Sequence, residues 1–441
     1  MNIKKIFSKF KKNGIFDIEY RQFLHDSLDF NILDDKINNY SVNKLNNCNI
    51  SSIINKKFSI INFDKTLNNI NFKNILSALI NSSKYIDKQD GSIYKKKSKY
   101  KNFNFFNKQL SKITIKEKQE LMFKVNEQIK KVSDKIKRIE ISYHETSQKN
   151  IYKNTAGIEL QQNTNFFTIN TSIIVSKDKI IKTNNECFED NDLNCFNIEK
   201  YVKKLCDKAL KKLNIGSVHN GVYDVVLSPK IVNLITYYYV SQLNAEKIIK
   251  KTSWFTNKIK TKIANEKITI IDKPLEQDMN FVPFDDQGVP TKNKILIKNG
   301  ILKTYLHNLT TSKIFKVQPT GHAYLMNSKM SIKPHNVYLK PGKITIDNII
   351  KTIKNGIYIT ELDGLHVGIN VENGDFSLKA EGFEIKNGKI EKFIDMMTIT
   401  YNLYKIFEHA DEISRNIEYY HKKFSPCLLL KKKCFISCDY D

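Results

Sequence analysis

The sequence has little glycine, proline or tryptophan, with 15, 8 and 1 copies among its 441 residues. Long flexible linkers are therefore not expected, because glycine and proline are common constituents of such linkers. Hydrophobic residues still make up 41% of the chain, which is enough to bury a core and is not typical of a disordered protein. At this length the chain is predicted to form two or three globular domains.

Arginine is also scarce, although the chain is strongly basic. The formal net charge is +26, yet the arginines are only Arg21, Arg138 and Arg415. A basic protein can bind nucleic acid, but a DNA-reading surface usually concentrates its charge and uses arginine for bidentate contacts. Lysine is spread over almost the whole chain, so we interpret it as a compositional bias. A nucleic-acid-binding module remains an alternative hypothesis.

The cysteine pattern excludes two common uses of this residue. Seven cysteines occur at wide spacings, with no CxxC zinc pattern and no framework for disulfides, so reduced thiols in the cytoplasm are expected. Cys187 and Cys195 lie among acidic residues, which raise the pKa of a thiol, so both should be unreactive. The sequence also shows no signal-peptide core and no apolar run of about 18 residues, which indicates a cytoplasmic protein without a membrane span.

The N-terminus is basic and carries regularly spaced apolar residues. Ile3, Ile6, Phe7 and Phe10 could form one face of a short amphipathic helix. We expect this terminus to be frayed or packed on the protein itself rather than bound to a membrane surface.

Motifs of common enzyme classes are missing. Neither GxGxxG nor GxxxxGK[ST] is present to hold phosphates, and no GxSxG surrounds a serine nucleophile. The His144-Glu145 pair lacks the second histidine that a zinc-peptidase helix needs. His322 stands in a turn at 319–323, where it could either face a ligand or make a local hydrogen bond. His366 and Glu361 form a second candidate group. The residues alone therefore identify no self-evident active site.

Hydrophobic periodicity predicts an α+β protein. Thr114 and Glu117 form a capping-box pattern at the start of one helix. Asn299-Gly300 and Asn387-Gly388 predict tight hairpins, and Asn373-Gly374 another turn, whereas Asn355-Gly356 follows an apolar run and predicts a helix C-cap. Other predicted elements in the first half are strands at 57–64, 139–143 and 166–175 and helices at 71–86 and 198–213. A strand at 222–227 and a helix from Pro229 follow.

The domain organisation follows from a change in this pattern. Residues 51–215 are predicted to form an N-terminal α/β domain with a mixed sheet and flanking helices. Residues 216–441 are predicted to form a β-rich C-terminal domain, because strands become frequent and turns tight there. Residues 1–50 contain few clear signals and are assigned to a poorly defined N-terminal segment.

A series of short segments in the second half occurs in a distinctive order. The series is PFDDQGVPT at 283–291, the hairpin at 295–306, TTSKIF at 310–315, TGHA at 320–323, GIYITEL at 356–362, VGIN at 367–370, GDFS at 374–377, EGFEIKNG at 381–388 and TITYNL at 398–403. This order, over roughly 220–420, resembles the TldD/PmbA family, also called peptidase family U62. A weaker resemblance covers 58–87 and 139–160, and it implies the family's N-terminal and central domains.

The resemblance implies two kinds of chain, of which only one carries zinc. TldD-like chains hold zinc with an HExxxH helix and a downstream cysteine, and PmbA-like (TldE) chains lack these ligands. In this sequence Thr236, Tyr237 and Ser241 stand at the HExxxH positions, and the cysteine position falls near Lys379. None of these residues is a usual zinc ligand. The resemblance therefore implies a PmbA-like chain that binds no cofactor itself, with zinc on a TldD-like partner.

The function implied in this way is proteolysis of unfolded or short peptides by a cytoplasmic assembly. This chain would complete a peptide-enclosing dimer, either with a TldD-like zinc subunit or as a homodimer, and its strand edges could pair with a peptide backbone. A competing hypothesis is a stand-alone peptidase with a non-standard site around His322 and His366.

Overall fold

The computed structural model describes residues 3–63, 72–85, 92–326, 329–364, 368–370, 373–420 and 423–438. The predicted α+β class, with an α/β first half and a β-rich second half, is confirmed. No helix in these ranges is both long and apolar enough to cross a bilayer.

The first half is built on one six-stranded sheet in the order β3-β2-β1-β4-β5-β6. Its strands pair antiparallel throughout, so the predicted mixed sheet is wrong in this half. Hairpins connect β1 to β2, β2 to β3, β4 to β5 and β5 to β6, as antiparallel neighbours allow, whereas the segment that contains α2 and α3 connects β3 at the sheet edge to β4 beside β1. The elements are α1 (Ile3–Lys12), β1 (Ile18–Leu33), β2 (Lys36–Ile54), β3 (Lys57–Phe63), α2 (Phe72–Lys84), α3 (Ile115–Lys130), β4 (Ile136–Asn154), β5 (Glu159–Lys177), β6 (Ile180–Asp190) and α4 (Ile198–Lys211).

The first 50 residues are an integral part of this sheet. β1 pairs with both β2 and β4, and therefore lies inside the sheet rather than in a poorly defined segment. The apolar face of α1 is buried against β1, β2 and α2, with the Phe10 and Phe72 rings 4.9 Å apart. Of the two arrangements expected for the N-terminus, frayed or packed on the protein itself, the structure shows the second. Sequence patterns missed β1 and β2 because their polar residues do not alternate regularly with apolar ones.

Locally determined features of the first half agree with the sequence. Thr114 and Glu117 form the predicted capping box at the start of α3. The predicted strand and helix at 57–64 and 71–86 correspond to β3 and α2, although residues 64, 71 and 86 lie outside the described residues. Val125 and Ile129 of α3 are buried, whereas Val132 lies beyond the end of the helix and is 44% exposed.

The second half contains a closed ring of strands. β7, β14, β15, β16 and β18 pair in this order, and an additional pairing of β16 with β18 closes the ring. The elements are β7 (Gly221–Leu227), α5 (Pro229–Ser241), α6 (Ala245–Ile249), β8 (Ile270–Asp272), β9 (Lys294–Lys298), β10 (Ile301–Leu302), α7 (Leu309–Ile314), β11 (Ala323–Met326), β12 (Lys329–Ile332), β13 (Val337–Leu339), α8 (Ile346–Lys351), β14 (Asn355–Leu362), β15 (Asp375–Lys386), β16 (Lys389–Asn402), α9 (Leu403–Glu408), β17 (Glu412–Tyr420) and β18 (Lys423–Cys438).

Turns in this half test the Asn-Gly predictions. Asn299-Gly300 and Asn387-Gly388 have positive φ at both residues, as the predicted hairpins require. Asn355-Gly356 was predicted to cap a helix and this is wrong. α8 already ends at Lys351, and Asn355 and Gly356 are the first residues of β14. A side chain at position 356 would collide with the Asp224 carbonyl oxygen at 2.6 Å, so glycine is needed for strand packing.

The two halves are joined through a turn at 285–289. Gly288 has φ +72°, and a Cβ built there would lie 2.4 Å from the Tyr152 ring. The Tyr152 hydroxyl lies 2.9 Å from Glu19 Oε1 and 3.0 Å from the Gln287 carbonyl oxygen. Arg21 donates its Nε–H to the Asp286 carbonyl oxygen at 2.5 Å. Side chains of β1 and β4 therefore hold the turn of the C-terminal half at short distance.

Candidate functional site

The helix at the HExxxH positions is α5. It begins at Pro229, whose fixed φ suits the first helical position, and its apolar residues Ile231, Ile235 and Tyr239 pack in the core of the second half. Thr236 is 1% exposed, and its hydroxyl donates to the Val232 carbonyl oxygen at 2.6 Å. The Ser241 hydroxyl donates in the same way to the Tyr238 carbonyl oxygen.

Tyr237 completes this group of hydroxyl-bearing residues. It is partly buried, and burial raises the pKa of its phenol, with smaller contributions from Tyr324 and Asp272. A neutral phenol and two hydroxyls bonded to the backbone of their own helix are poor donors for Zn²⁺, which prefers thiolate, imidazole and carboxylate ligands. The side chains at these positions therefore do not fit a zinc ion.

The predicted fourth position does not join this helix. Lys379 lies on β15 between Leu378 and Ala380, which are buried in the same core as α5. Because successive side chains of a strand point to opposite faces, Lys379 is exposed on the other side of the sheet. Within the described ranges no three His, Cys, Asp or Glu residues lie close enough together to hold a metal ion.

His322 belongs to a buried polar cluster. The cluster consists of Asp272 at the end of β8, His322 and Thr320 from the turn at 319–323, and His335 before β13. His322 Nε2 lies 2.7 Å from Asp272 Oδ2, its Nδ1 lies 2.8 Å from Thr320 Oγ1, and its ring stacks on that of His335 at 4.8 Å. Both His322 and Asp272 are 0% exposed. Of the two sequence alternatives, the structure therefore shows the local hydrogen bond.

Burial and hydrogen bonding set the charges in this cluster. Burial lowers the pKa of His322 to about 3, although its hydrogen bond to Asp272 acts in the opposite direction. For Asp272, burial opposes ionisation, but the hydrogen bond and charge of His322 bring its pKa to about 2. At neutral pH the pair is thus a carboxylate accepting the Nε2–H of a neutral imidazole. Such an Asp–His–hydroxyl chain resembles a nucleophile-activating arrangement, but its carboxylate and its imidazole are both fully buried, and only Thr320 is partly exposed.

Two further titratable groups lie near this cluster. Lys294 donates to the Thr320 carbonyl oxygen at 2.5 Å, and burial lowers its pKa to about 8. Burial raises the pKa of Asp285 to about 7, although the carboxylate accepts backbone N–H groups of Gln287, Val289 and Ala323. Asp285 thus ties the turn at 285–289, which contacts β1 and β4, to the start of β11.

Glu361 is placed elsewhere, on a cleft between the two halves. It lies near the end of β14 and pairs with Lys230 of α5 at 2.5 Å. The cleft has a volume of about 720 Å³ and is also lined by residues of β5, β6 and α4. His366, the other residue of this predicted group, lies outside the described residues. His322 and Glu361 therefore belong to two separate sites, since His322 lies in the buried cluster with Asp272 and Glu361 lines the cleft.

Sequence reasoning missed Asp272, His335 and the lysine-rich cleft. Asp272 and His322 are 50 positions apart, and the pairing of β8 with β13 brings Asp272 and His335 near each other. The cleft lysines looked like part of a general compositional bias. A helical repeat of lysine at positions 204, 208, 211 and 212 was the one available signal.

Comparisons with known proteins agree with this architecture. The model of the PmbA/TldA metallopeptidase C-terminal domain matches residues 220–435, and that of the PmbA/TldA metallopeptidase central domain matches residues 108–213. A metalloprotease PmbA homolog from Buchnera aphidicola is 27% identical over 217 residues, which is 49% of this chain and 46% of the relative. A metalloprotease TldD homolog from the same species is 32% identical over 206 residues, 46% of this chain and 42% of the relative.

The matched parts span less than half of these two relatives, and both branches of the family are similar to the chain. A solved structure, TldE from Thermococcus kodakarensis, superposes with a TM-score of 0.86 at 20% identity and covers 99% of each chain, which shows a shared fold. The two family models together cover most of the residues from α3 to β18. The chain belongs to the TldD/PmbA family.

Proposed function

We propose that this chain is the metal-free, PmbA-like subunit of a cytoplasmic peptidase that acts on unfolded or short peptides. A TldD-like chain supplies the zinc, and the two related chains together enclose the peptide. A homodimer of this chain is the alternative assembly. This proposal assigns the chemistry to the partner and assigns to this chain the closure of the peptide chamber.

The observation that supports this proposal most is the hydroxyl set on α5. Thr236, Tyr237 and Ser241 stand at the positions that the family resemblance assigns to HExxxH, and none offers an imidazole or a carboxylate. Thr236 and Ser241 already donate to backbone carbonyl oxygens of α5. A dication at this helix would therefore lack both ligands and a general base.

Reconstitution tests the proposal directly. This chain and the TldD-like chain of the same organism are purified separately and mixed, and cleavage of a fluorogenic unfolded peptide is followed. We expect no cleavage by this chain, and greater cleavage by the mixture than by the TldD-like chain alone. A TldD-like chain with glutamine in place of the HExxxH glutamate is the matched control and should be inactive in the mixture.

The opposite outcome is equally clear. Peptide cleavage by this chain alone that is abolished by a zinc chelator would contradict the proposal. The hypothesis of a stand-alone peptidase around His322 receives no support from its complete burial. If such a peptidase existed, His322→Ala would remove cleavage by the isolated chain.

A further inference from the structure

Residues 36–46 of β2 form an exposed edge of the first sheet, which we call the β2 edge. Among the described residues, β3 pairs only with residues 48–54 of β2, whereas the β2 edge pairs with β1 alone. Residues 36–45 are all exposed. An edge of this kind is about 35 Å long and presents unpaired backbone N–H and C=O groups, which are a template for pairing with another strand.

The β2 edge also concentrates exposed apolar side chains. Four large apolar residues in it are between 41% and 51% exposed, namely Ile37, Tyr40, Val42 and Leu45. Tyr40 and Val42 lie opposite Phe30 and Leu28 of β1, which pack in the core that α3 covers. The apolar face of the sheet therefore continues to the edge, where it is left open to solvent.

The hairpin that carries this edge is held in place by α3. β1 and β2 meet in a two-residue turn, in which Asp34 and Asp35 both have positive φ, as a type I′ turn requires. Asp35 accepts a hydrogen bond from Asn126 Nδ2 at 2.5 Å and forms an ion pair with Lys130, and both partners belong to α3. An edge anchored in this way loses little conformational freedom when another strand pairs with it.

The β2 edge is complementary to itself when two copies run antiparallel. With Ser41 placed opposite Ser41 of a second copy, Tyr40 lies opposite Val42 and Asn39 lies opposite Asn43. Each of these two pairs occurs twice, as a two-fold axis requires. Aromatic and β-branched side chains form favourable cross-strand pairs, and two asparagine amides can each donate to and accept from the other.

The features that usually protect an edge strand leave the centre of this one open. Lysines and β-bulges are common protections against pairing. The lysines of the β2 edge are Lys36 and Lys44, so residues 37–43 carry no charge. The register shift of the hairpin leaves Asn38 without a partner in β1, and residues 39–43 pair regularly. The central pairs of the self-complementary register therefore lie in an uncharged, regular segment.

We propose that the β2 edge pairs with the β2 edge of a second copy of this chain, antiparallel about Ser41. The two six-stranded sheets then form one continuous sheet. This contact goes beyond the proposed function, because it forms whether or not a zinc-bearing chain is also bound. The contact is short, so association should be weak. Each copy carries a net charge of +26, so salt should strengthen association by screening the repulsion.

Sedimentation equilibrium of the isolated chain tests this pairing. The dimer fraction should rise with protein concentration and should be larger at high than at low ionic strength. Asn39→Lys with Asn43→Lys places lysine opposite lysine in two pairs, and Asn39→Glu with Asn43→Glu places glutamate opposite glutamate. Each double variant alone should dimerise at least about tenfold more weakly than wild type. An equal mixture of the two should recover the dimer, because lysine then lies opposite glutamate in both pairs.

A matched control separates this contact from a general effect of charge. Asn74→Lys with Asn81→Lys adds the same charge at exposed positions of α2 and should dimerise as wild type. All the variants should melt at the temperature of the wild type, since the replaced side chains are exposed. Recovery in the mixture provides a second check that both edge variants are folded.

A wild-type chain that stays monomeric at every concentration and ionic strength would overturn the proposal, as would a dimer that neither edge variant weakens. Loss of the dimer in both variants without recovery in their mixture would also overturn it, because the register about Ser41 requires recovery. If the isolated chain is monomeric and its lysine variant binds a TldD-like chain more weakly, the edge belongs to that chain instead. Failure of the proposed function is distinct, since the dimer would then form although mixtures with the TldD-like chain show no added cleavage.

Discussion

His322 donates its Nε2–H to Asp272 Oδ2 across 2.7 Å, and neither side chain is exposed to solvent. The other oxygen of Asp272 accepts the N–H of Asn336 at 2.7 Å. Asp272 thus connects β8, the turn at 319–323 and the residues before β13. A carboxylate is required, because both of its oxygens must accept.

The first prediction concerns this carboxylate. Asp272→Asn should lower the free energy of unfolding by about 2–4 kcal/mol. The side-chain NH₂ group of asparagine would face either the Nε2–H of His322 or the N–H of Asn336, and both of these groups are donors. Urea denaturation followed by circular dichroism measures the change. Asp29→Asn is the control, because Asp29 makes a partly exposed pair with His144 that should contribute at most about 1 kcal/mol. Similar losses in both variants would contradict a special role of the buried pair.

The second prediction concerns His307 and pH. His307 is 3% exposed, and burial lowers its pKa to about 4. The unfolded chain binds this proton below about pH 6.5, so the stabilising contribution of neutral His307 is complete above that pH and is lost as pH falls toward 4. Stability should therefore rise with pH in this window, and His307→Gln should reduce the slope by up to about 1.4 kcal/mol per pH unit.

Unfolding free energies measured from pH 4 to 7 test the effect of His307. Comparison with wild type cancels other groups, including Asp285, whose raised pKa contributes the opposite slope. His219→Gln is the control, since this exposed side chain is in solvent in both states. An unchanged slope in His307→Gln would show that His307 is protonated equally in the folded and unfolded chains.

The third prediction concerns Gly288 and the contact between the halves. Gly288→Ala should destabilise the protein by about 2–4 kcal/mol, because its Cβ would overlap the Tyr152 ring as well as strain the backbone at φ +72°. Gly157→Ala is a matched control, because Gly157 has φ +87° but nothing within 4 Å of the added Cβ. Gly157→Ala should lower the free energy of unfolding by only about 1–2 kcal/mol. Thermal unfolding measures both, and equal losses would mean that the approach to Tyr152 is unimportant.

The fourth prediction concerns thiol reactivity. Burial, reinforced by Glu189 and Glu186, raises the pKa of Cys187 to about 12. Cys427 and Cys434 are buried, and their thiol pKa values are also raised to about 12. Although the acidic neighbours of Cys195 led to the expectation that it is unreactive, this thiol is exposed, and iodoacetamide at pH 8 should therefore label Cys195 before these three. Peptide mass spectrometry identifies the sites, and faster labelling of Cys187 would contradict this order.

Sequence signals were sufficient where a structure depends on neighbouring residues. The Thr114–Glu117 capping box and the Asn299-Gly300 hairpin each involve contacts within five positions. Asn355-Gly356 was misinterpreted because the same dipeptide can cap a helix or relieve crowding at the start of a strand. The first 50 residues were missed because β1 is fixed by its pairing with β4, more than 100 positions away.

The candidate site was less accessible to sequence reasoning. The outward direction of Lys379 depends on which face of β15 meets the core, and this is set by the ring of strands. The cluster around His322 depends on Asp272, which carried no signal of its own. The nucleic-acid hypothesis and the metal-free role of α5 stay predictions, because neither the fold nor the family relationship decides them.

Metal analysis of the purified chain is the most direct test of the account. The chain, prepared without a metal-affinity tag and incubated with zinc before dialysis, is measured by inductively coupled plasma mass spectrometry. A TldD-like chain treated identically is the control and should retain one zinc. The account predicts that this chain retains far less than one zinc per molecule. One zinc per chain that is lost on Tyr237→Phe or Ser241→Ala would contradict it.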